Sequence, residues 1–358
     1  MRPWEIGPFE RVDEANPILE ARADTVFDDP LAGPVRWEEK DVFNPAAVVH
    51  EGKVWLLYRA EDTVGKYAGT SRIGLAVSDD GMSFDRFPYP VLFPAEDSMW
   101  ELEKEGGCED PRIVKLEDGR FLLTYTAFDG RVARLAVATS TDLQSWTKHG
   151  LAFPERYRDL WSKSGAVVTK LDGDDLVAAR IGGKYWMYWG ESSIYAATSE
   201  DGIAWEPVEY VEMASRWVDF STFPPTNRET FTEPRLSSVF RTRRGRYDSM
   251  IVEPGPPPLL TEDGIVMIYN AANHGEHGRL DLAHRSYRAG QMLLDPEDPT
   301  HVLERTVDPF FIPERPYELT GQIASVTFLE GLIRFKASWW LYYGTADSKV
   351  AVAKTQRT

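Results

Sequence analysis

One pattern recurs five times along this chain of 358 residues: a turn with Gly or a charge, an aromatic-rich strand running to a Tyr, a strand of small and β-branched residues, and a polar turn. The copies are GKVWLLYRAED with SRIGLAVSDDGMSFDRF, GRFLLTYTAFDG with ARLAVATSTDLQSWTKH, GKYWMYWGES with IYAATSEDGIAWEPV, GIVMIYNAAN with YRAGQMLLDPEDPTHVLER, and SWWLYYGTAD with KVAVAKT. Their tyrosines, Tyr58, Tyr125, Tyr188, Tyr269 and Tyr343, stand 67, 63, 81 and 74 residues apart. A repeated strand pair cannot bury its apolar face alone and must stack on its neighbours. At this period the pattern predicts an all-β fold, a five-bladed β-propeller with four strands per blade, ahead of an ordinary β-sandwich. The last copy stops at its second strand. The N-terminal segment, residues 1–40, is therefore expected to close the ring, making residues 1–358 a single domain. Residues 209–246 break the pattern and are expected to form an irregular insertion, a rim or lid over one end.

Several function classes are excluded early. A formal net charge of −17 argues against a nucleic-acid or anionic-membrane partner. The single cysteine, Cys108, rules out an intrachain disulfide and a CxxC-type zinc site. No apolar run approaches the roughly 20 residues of a membrane span. The N-terminal MRPWEIGPFERVDEANP has no apolar signal core, so a cytoplasmic setting is expected. No histidine stands near a G-x-S-x-G elbow. His274 and His277 offer a metal no obvious third histidine, so neither a metal nor another cofactor is expected. Oligomeric state is left open, with a homo-oligomer compatible.

The acids are placed by the repeat. Asn44 precedes the first aromatic strand in FNPAAVV, Glu109 and Asp110 precede the second in GCEDPRIV, and Asp248 with Glu253 precedes the fourth in YDSMIVEPGPPPLL. A second set stands where the tyrosine strands end: Arg59 and Glu61, Glu191, Tyr269 and Asn270, and Asp347. Pro111 biases Asp110 towards an extended backbone. Strand alternation then lets at most one of Glu109 and Asp110 face a given pocket. Recurrence of polar groups at one frame position points to a shared pocket. Carboxylates, Asn, Arg and aromatics without a Cys or His cluster suit sugar chemistry, in which one carboxyl protonates the leaving oxygen and, on inversion, another activates water.

On FNPAAVV, WLLYRAED, GCEDPRI, YTAF, GKYWMYWGE, YDSMIVEPGPPPLLTEDG, YRAGQMLLDPEDP and LYYGTADS, the sequence resembles glycoside hydrolase family 130, the mannoside phosphorylases and β-mannosidases, which are five-bladed propellers. The first forty residues and the 209–246 stretch lie outside the resemblance. It implies that Asp110 is the general acid, its proton reaching the glycosidic oxygen through a hydroxyl of the bound mannose. The sequence departs from the phosphorylases at Glu191 and Glu253, where those enzymes tend to carry non-acidic residues. A unit charge about 4 Å from phosphate costs roughly 4 kcal/mol at an effective dielectric near 20. Two such carboxylates oppose phosphate and suit an attacking water.

The resemblance thus implies the hydrolytic branch: an inverting, exo-acting, metal-independent hydrolase releasing mannose from β-1,2-linked mannosides. Asp110 is the expected acid, with Glu191 and Glu253 the pair that activates water. Asn44, Arg59, Arg112, Asp248, Tyr269 and Asp347 are expected to hold a mannoside or manno-oligosaccharide. The alternatives are a β-mannoside phosphorylase producing mannose 1-phosphate and a non-catalytic sugar-binding propeller.

Overall fold

The computed structural model describes residues 2–65, 69–215, 218–219, 226–227 and 230–356. Among them the α-helical segments are two single turns, Trp100–Glu103 and Pro316–Leu319. None is long and apolar enough to cross a membrane. The chain is all-β.

The strands pair as successive antiparallel meanders. The first runs Asp41–His50, Lys53–Glu61, Ser71–Ser78 and Asp85–Arg86. The second runs Gly107–Lys115, Phe121–Phe128, Ala133–Ser140 and Thr147–Leu151. The third is built on Ala166–Val167, Lys184–Trp189, Ser193–Ser199 and Glu206–Pro207. The fourth joins Ile251–Pro254, Ile265–Ala272, Tyr287–Leu294 and Val302–Arg305. The fifth runs Thr327–Phe335, Ser338–Thr345 and Lys349–Lys354, and Glu10–Arg11 pairs with its last strand. Asn16 fixes that junction by donating to the carbonyl of Val352 and accepting its N–H.

Burial orders the meanders. One apolar cluster joins Leu57 and Leu75 of the first to Phe121 and Leu123 of the second. The next joins Val114 and Val137 to Met187 and Trp205 of the third. Tyr188 and Ile194 of the third pack with Met267 and Met292 of the fourth. Ile268 and Leu293 pack with Leu329 and Leu341 of the fifth. The last cluster joins Ile333 and Tyr342 of the fifth to Val54 and Leu56 of the first. Each meander thus shares a core with the next, and the fifth with the first. The aromatic strands are second in each meander, one strand further out than the sequence frame places them: FNPAAVV and GCEDPRIVK are themselves the first strands.

The repeat tyrosines are packing elements. All five are buried, and burying a phenol requires a partner for its hydroxyl. Tyr58 donates to Glu38, Tyr125 to Glu103, Tyr269 to Asp248 and Tyr343 to Glu318, while Tyr188 donates to the carbonyl of Pro299. Each of those acids also holds a cation: Arg86 on Glu38, Lys148 on Glu103, Arg243 and Arg305 on Asp248, and Arg11 on Glu318. This tyrosine–carboxylate–cation clamp is a recurring device of the fold.

The polar turns share one geometry. In each, the hydroxyl of Ser78, Ser140 or Ser199 accepts N–H groups two and three residues on, as does the carboxylate of Asp80, Asp142 or Asp201. The insertion is a hairpin where it is described, with Glu209–Ser215 paired to Thr230–Leu236 and Val218–Asp219 to Thr226–Asn227. That corrects the expected irregular segment: an antiparallel ladder satisfies its backbone groups. Pro224 and Pro225 lie outside the described residues.

Candidate active site

The first strands carry their polar residues on bulges. The register slips between Phe43 and Pro45, between Glu109 and Arg112, and between Leu329 and Gly331. Asn44 and Asp110 sit there at φ 48° and 47°, and Ser164 takes 58° at the head of the third meander. The extended backbone expected of Asp110 is therefore not adopted. A bulge inserts a residue and re-aims its side chain, and Asn and Asp tolerate the left-handed region better than most residues. Only Asp110 of the Glu109–Asp110 pair lines the cleft, aimed there by the bulge and not by the alternation of an extended strand. Hydrogen bonds hold the unusual backbone in place: Asn44 Nδ2 donates to Asp110 Oδ1 at 2.9 Å, and Arg59 Nη1 donates to the same oxygen at 3.1 Å. Gly344 belongs to this arrangement, because a Cβ there would stand 2.3 Å from Asn44 Oδ1.

The cleft encloses about 200 Å³ and is lined by Phe43, Asn44, Arg59, Asp110, Lys163, Glu191, Glu253, Tyr287, Ile323, Val326, Phe328 and Asp347. Six of the nine residues expected in the site are thus together: Asp110, Glu191, Glu253, Asn44, Arg59 and Asp347. Glu191 follows the second strand of the third meander, Lys184–Trp189, and Glu253 lies within the first strand of the fourth, Ile251–Pro254. Lys163 Nζ stands 3.3 Å from Glu253 Oε2 and 3.9 Å from Asp110 Oδ2. These two oxygens can be no farther apart than the two contacts laid end to end, an upper bound near the lower limit of the roughly 6.5–9.5 Å typical of inverting acid–base pairs. Ser164 Oγ donates to the same Glu253 oxygen at 2.8 Å.

Charge in the cleft is unequal. Burial opposes ionisation of Asp110, but Arg59, Lys163 and the Asn44 amide outweigh it and hold the carboxyl at about 2. Burial lifts Asp347 to about 7, against Arg59 and with the repulsion of Asp110 and Glu61. It also raises Glu191, against Lys163 and with the repulsion of Glu253. Glu109, behind Arg59, is raised to about 7 by burial and by Asp110. Arg59 and Lys163 are disfavoured by burial, yet the surrounding carboxylates hold both above their usual values. At neutral pH Asp110 is thus fully ionised, while Asp347 shares a proton with solvent.

Three expected residues stand elsewhere. Arg112 is buried beneath the cleft, donating to the carbonyls of Gly255 and Pro254 at 2.8 Å each, with Nη2 3.0 Å from Glu330 Oε1. It ties the second, fourth and fifth meanders together. Asp248 and Tyr269 form the tyrosine clamp of the fourth meander, both fully buried and absent from the cleft. Their side chains point into the packing between meanders because the phenol and two guanidinium groups claim the carboxylate there.

Lys163, Ser164 and Tyr287 were not anticipated. Lys163-Ser164-Gly165 is the third-meander counterpart of Phe43-Asn44-Pro45 and Glu109-Asp110-Pro111, a signal hidden because proline is replaced by glycine. The histidines also differ from expectation. His274 and His277 stack at 4.7 Å and His284 stands edge-on to His274 at 5.3 Å, so a third histidine is nearby. However, Nδ1 of His274 accepts the N–H groups of Glu276 and His277, and Nδ1 of His284 accepts that of Gly275. These bonds leave the ring protons on Nε2. Among the described residues no group of three or more His, Cys, Asp or Glu is arranged to hold a metal.

The family profile described as beta-1,4-mannooligosaccharide phosphorylase matches residues 9–224 and 226–358. The 1,2-beta-oligomannan phosphorylase of Thermoanaerobacter sp. (strain X514) is 33% identical over 326 residues, 88% of this chain and 90% of that protein. A glycosyl hydrolase structure from Bacteroides ovatus is 42% identical, with TM-score 0.90, covering 99% of this chain and 95% of the other. At 41% identity, TM-score 0.90 and the same coverage, the chain also matches a structure from work showing that the family contains glycoside hydrolases that target β-1,2 mannosidic linkages in Candida mannan. Extended over nearly the whole length, these matches make the chain a member of glycoside hydrolase family 130.

Proposed function

We propose that this protein is an inverting, exo-acting β-mannosidase that hydrolyses β-1,2-linked mannosides, built as a single five-bladed β-propeller. One observation carries the reading. Glu191 and Glu253 share a cleft with Asp110, and Arg59 and Lys163, the cations lining it, are already engaged by carboxylates. Two cations face four carboxyl groups, those of Asp110, Glu191, Glu253 and Asp347. A phosphate entering there meets more negative charge than positive, at roughly 4 kcal/mol per carboxylate about 4 Å away. A water meets two bases. Likeness at 41% identity to the structure associated with β-1,2-directed hydrolases supports the same reading.

In this mechanism Glu253, buried and held by Lys163 and Ser164, positions the water with Glu191. Asn44 and Arg59 orient Asp110 towards the sugar. Asp110 must gain a proton before it can give one. Burial is the influence pushing it upward, and a sugar that displaces water deepens that burial. Asp347 is a second reading for the acid, favoured by its value of about 7 in the same cleft. Phosphorolysis is the second reading for the reaction, favoured by Lys163 in the cleft and by the phosphorylase named above.

The test is proton NMR of β-1,2-mannobiose turnover in phosphate-free buffer. Hydrolysis with α-mannose as the first new anomer is expected. First-formed β-mannose would mean retention, and no turnover without phosphate would mean a phosphorylase.

A further inference from the structure

The cleft is small for the substrate proposed. At about 200 Å³ it falls below the roughly 300–1,000 Å³ of pockets that enclose a drug-sized ligand. One sugar ring fits inside, and the next must lie at the mouth. Two large apolar side chains are left exposed there. Trp161 is 46% exposed, and Ile323, part of the cleft lining, is 43% exposed.

Neither is a loose surface residue. The indole N–H of Trp161 lies near the Glu191 carboxylate and favours its ionised form, and its ring packs edge-on against Phe128 at 6.5 Å. The next residue is pinned to the second meander: Ser162 N donates to Ala133 O, and its hydroxyl accepts from Leu135 N. Lys163 and Ser164 then reach Glu253. Ile323 N donates to the carbonyl of Ala346, beside Asp347. The backbone therefore holds an indole face in water next to one cleft carboxyl and an aliphatic side chain next to another. A rigid aromatic face offers large contact area at little entropic cost, and the C–H face of a pyranose is the apolar surface suited to it.

We propose that Trp161 and Ile323 are the apolar walls of a second sugar position at the cleft mouth, Trp161 being its main specificity determinant. The proposal rests on the mannoside reading above. Calorimetric titration of mannose and of β-1,2-mannobiose into the Asp110→Asn protein, alone and combined with Trp161→Ala or Trp161→Phe, tests it without depending on reaction class. Trp161→Ala is expected to weaken mannobiose at least tenfold and mannose less than twofold. Trp161→Phe, which keeps an aromatic face but loses the indole N–H, is expected to retain mannobiose within about threefold. Equal losses for both sugars, or none for either, would overturn the second position while leaving the mannoside reading intact. Failure of the parent protein to bind either sugar would overturn both.

Discussion

The Tyr269 clamp and the cleft are both buried ion clusters at strand ends, yet they differ in one physical respect. In the clamp a single carboxylate, Asp248, meets two guanidinium groups and a phenol, all packed between meanders. In the cleft the acids outnumber the cations and an open volume adjoins them. A closed cluster whose one carboxylate is fully claimed by cations and a phenol stabilises packing. An open one with surplus carboxyl groups raises some of their proton affinities and leaves them facing whatever enters. The comparison teaches that a polar residue at the repeated frame position is not enough to mark a site, because the same position also serves the clamp.

The largest effects expected from this contrast fall on opposite readouts. Asp248→Asn takes from the part-buried Arg243 and Arg305 the buried counter-charge they share, a loss of at most about 3–5 kcal/mol, the range for a broken buried pair. Thermal and denaturant melts should show it, while kcat per folded molecule stays near wild type. Asp110→Asn should do the reverse, with folding retained and mannobiose turnover reduced about 10²–10⁴-fold, the usual contribution of a general acid. Substrates with good leaving groups should lose less. The same leaving-group pattern in Asp347→Asn, with Asp110→Asn mild, would transfer the acid to Asp347.

Next in size come Glu191→Gln and Glu253→Gln. Each should cut hydrolysis by about tenfold or more, roughly 1.4 kcal/mol per decade, and the double variant should lose nearly all of it. Steady-state rates on β-1,2-mannobiose measure this, and full activity in either single variant would return that glutamate to a structural role.

The smallest effect concerns Glu330, fully buried under the cleft with both carboxyl oxygens lacking a hydrogen bond. Burial raises it to about 8, against the pull of Arg112. Between its unfolded value of about 4.3 and the folded value the native state keeps a proton that the unfolded state has released. Stability contributed through this group therefore falls as pH rises across that window. The melting temperature of Glu330→Gln should gain on wild type from pH 5 to pH 8 and level off above. A difference that does not vary with pH would show that Glu330 carries no such proton.

The strand pairs and turns were legible because packing repeats them. Tyr58, Tyr125, Tyr188, Tyr269 and Tyr343 are spaced as the meanders are, and the Ser-x-Asp turns share one set of hydrogen bonds. Asp110 and Asn44 were legible because each stands just before an aromatic strand of the repeat, although the bulged, left-handed backbone that aims them was not. Lys163 and Tyr287 were not, since they reach the cleft from segments whose position depends on how separate meanders meet. Asp248 and Tyr269 were misplaced because sequence gives the strand end but not the face it presents.

In the proposed mechanism two glutamates, Glu191 and Glu253, make the cleft choose water over phosphate. The direct measurement is the ratio of mannose to mannose 1-phosphate released from β-1,2-mannobiose across a phosphate titration, for wild type and for the Glu191→Gln, Glu253→Gln double variant. Wild type should release mannose at a rate phosphate does not stimulate, and the double variant should show little hydrolysis with a phosphate-dependent trace of mannose 1-phosphate. Wild-type turnover that requires phosphate and yields mannose 1-phosphate would contradict the account.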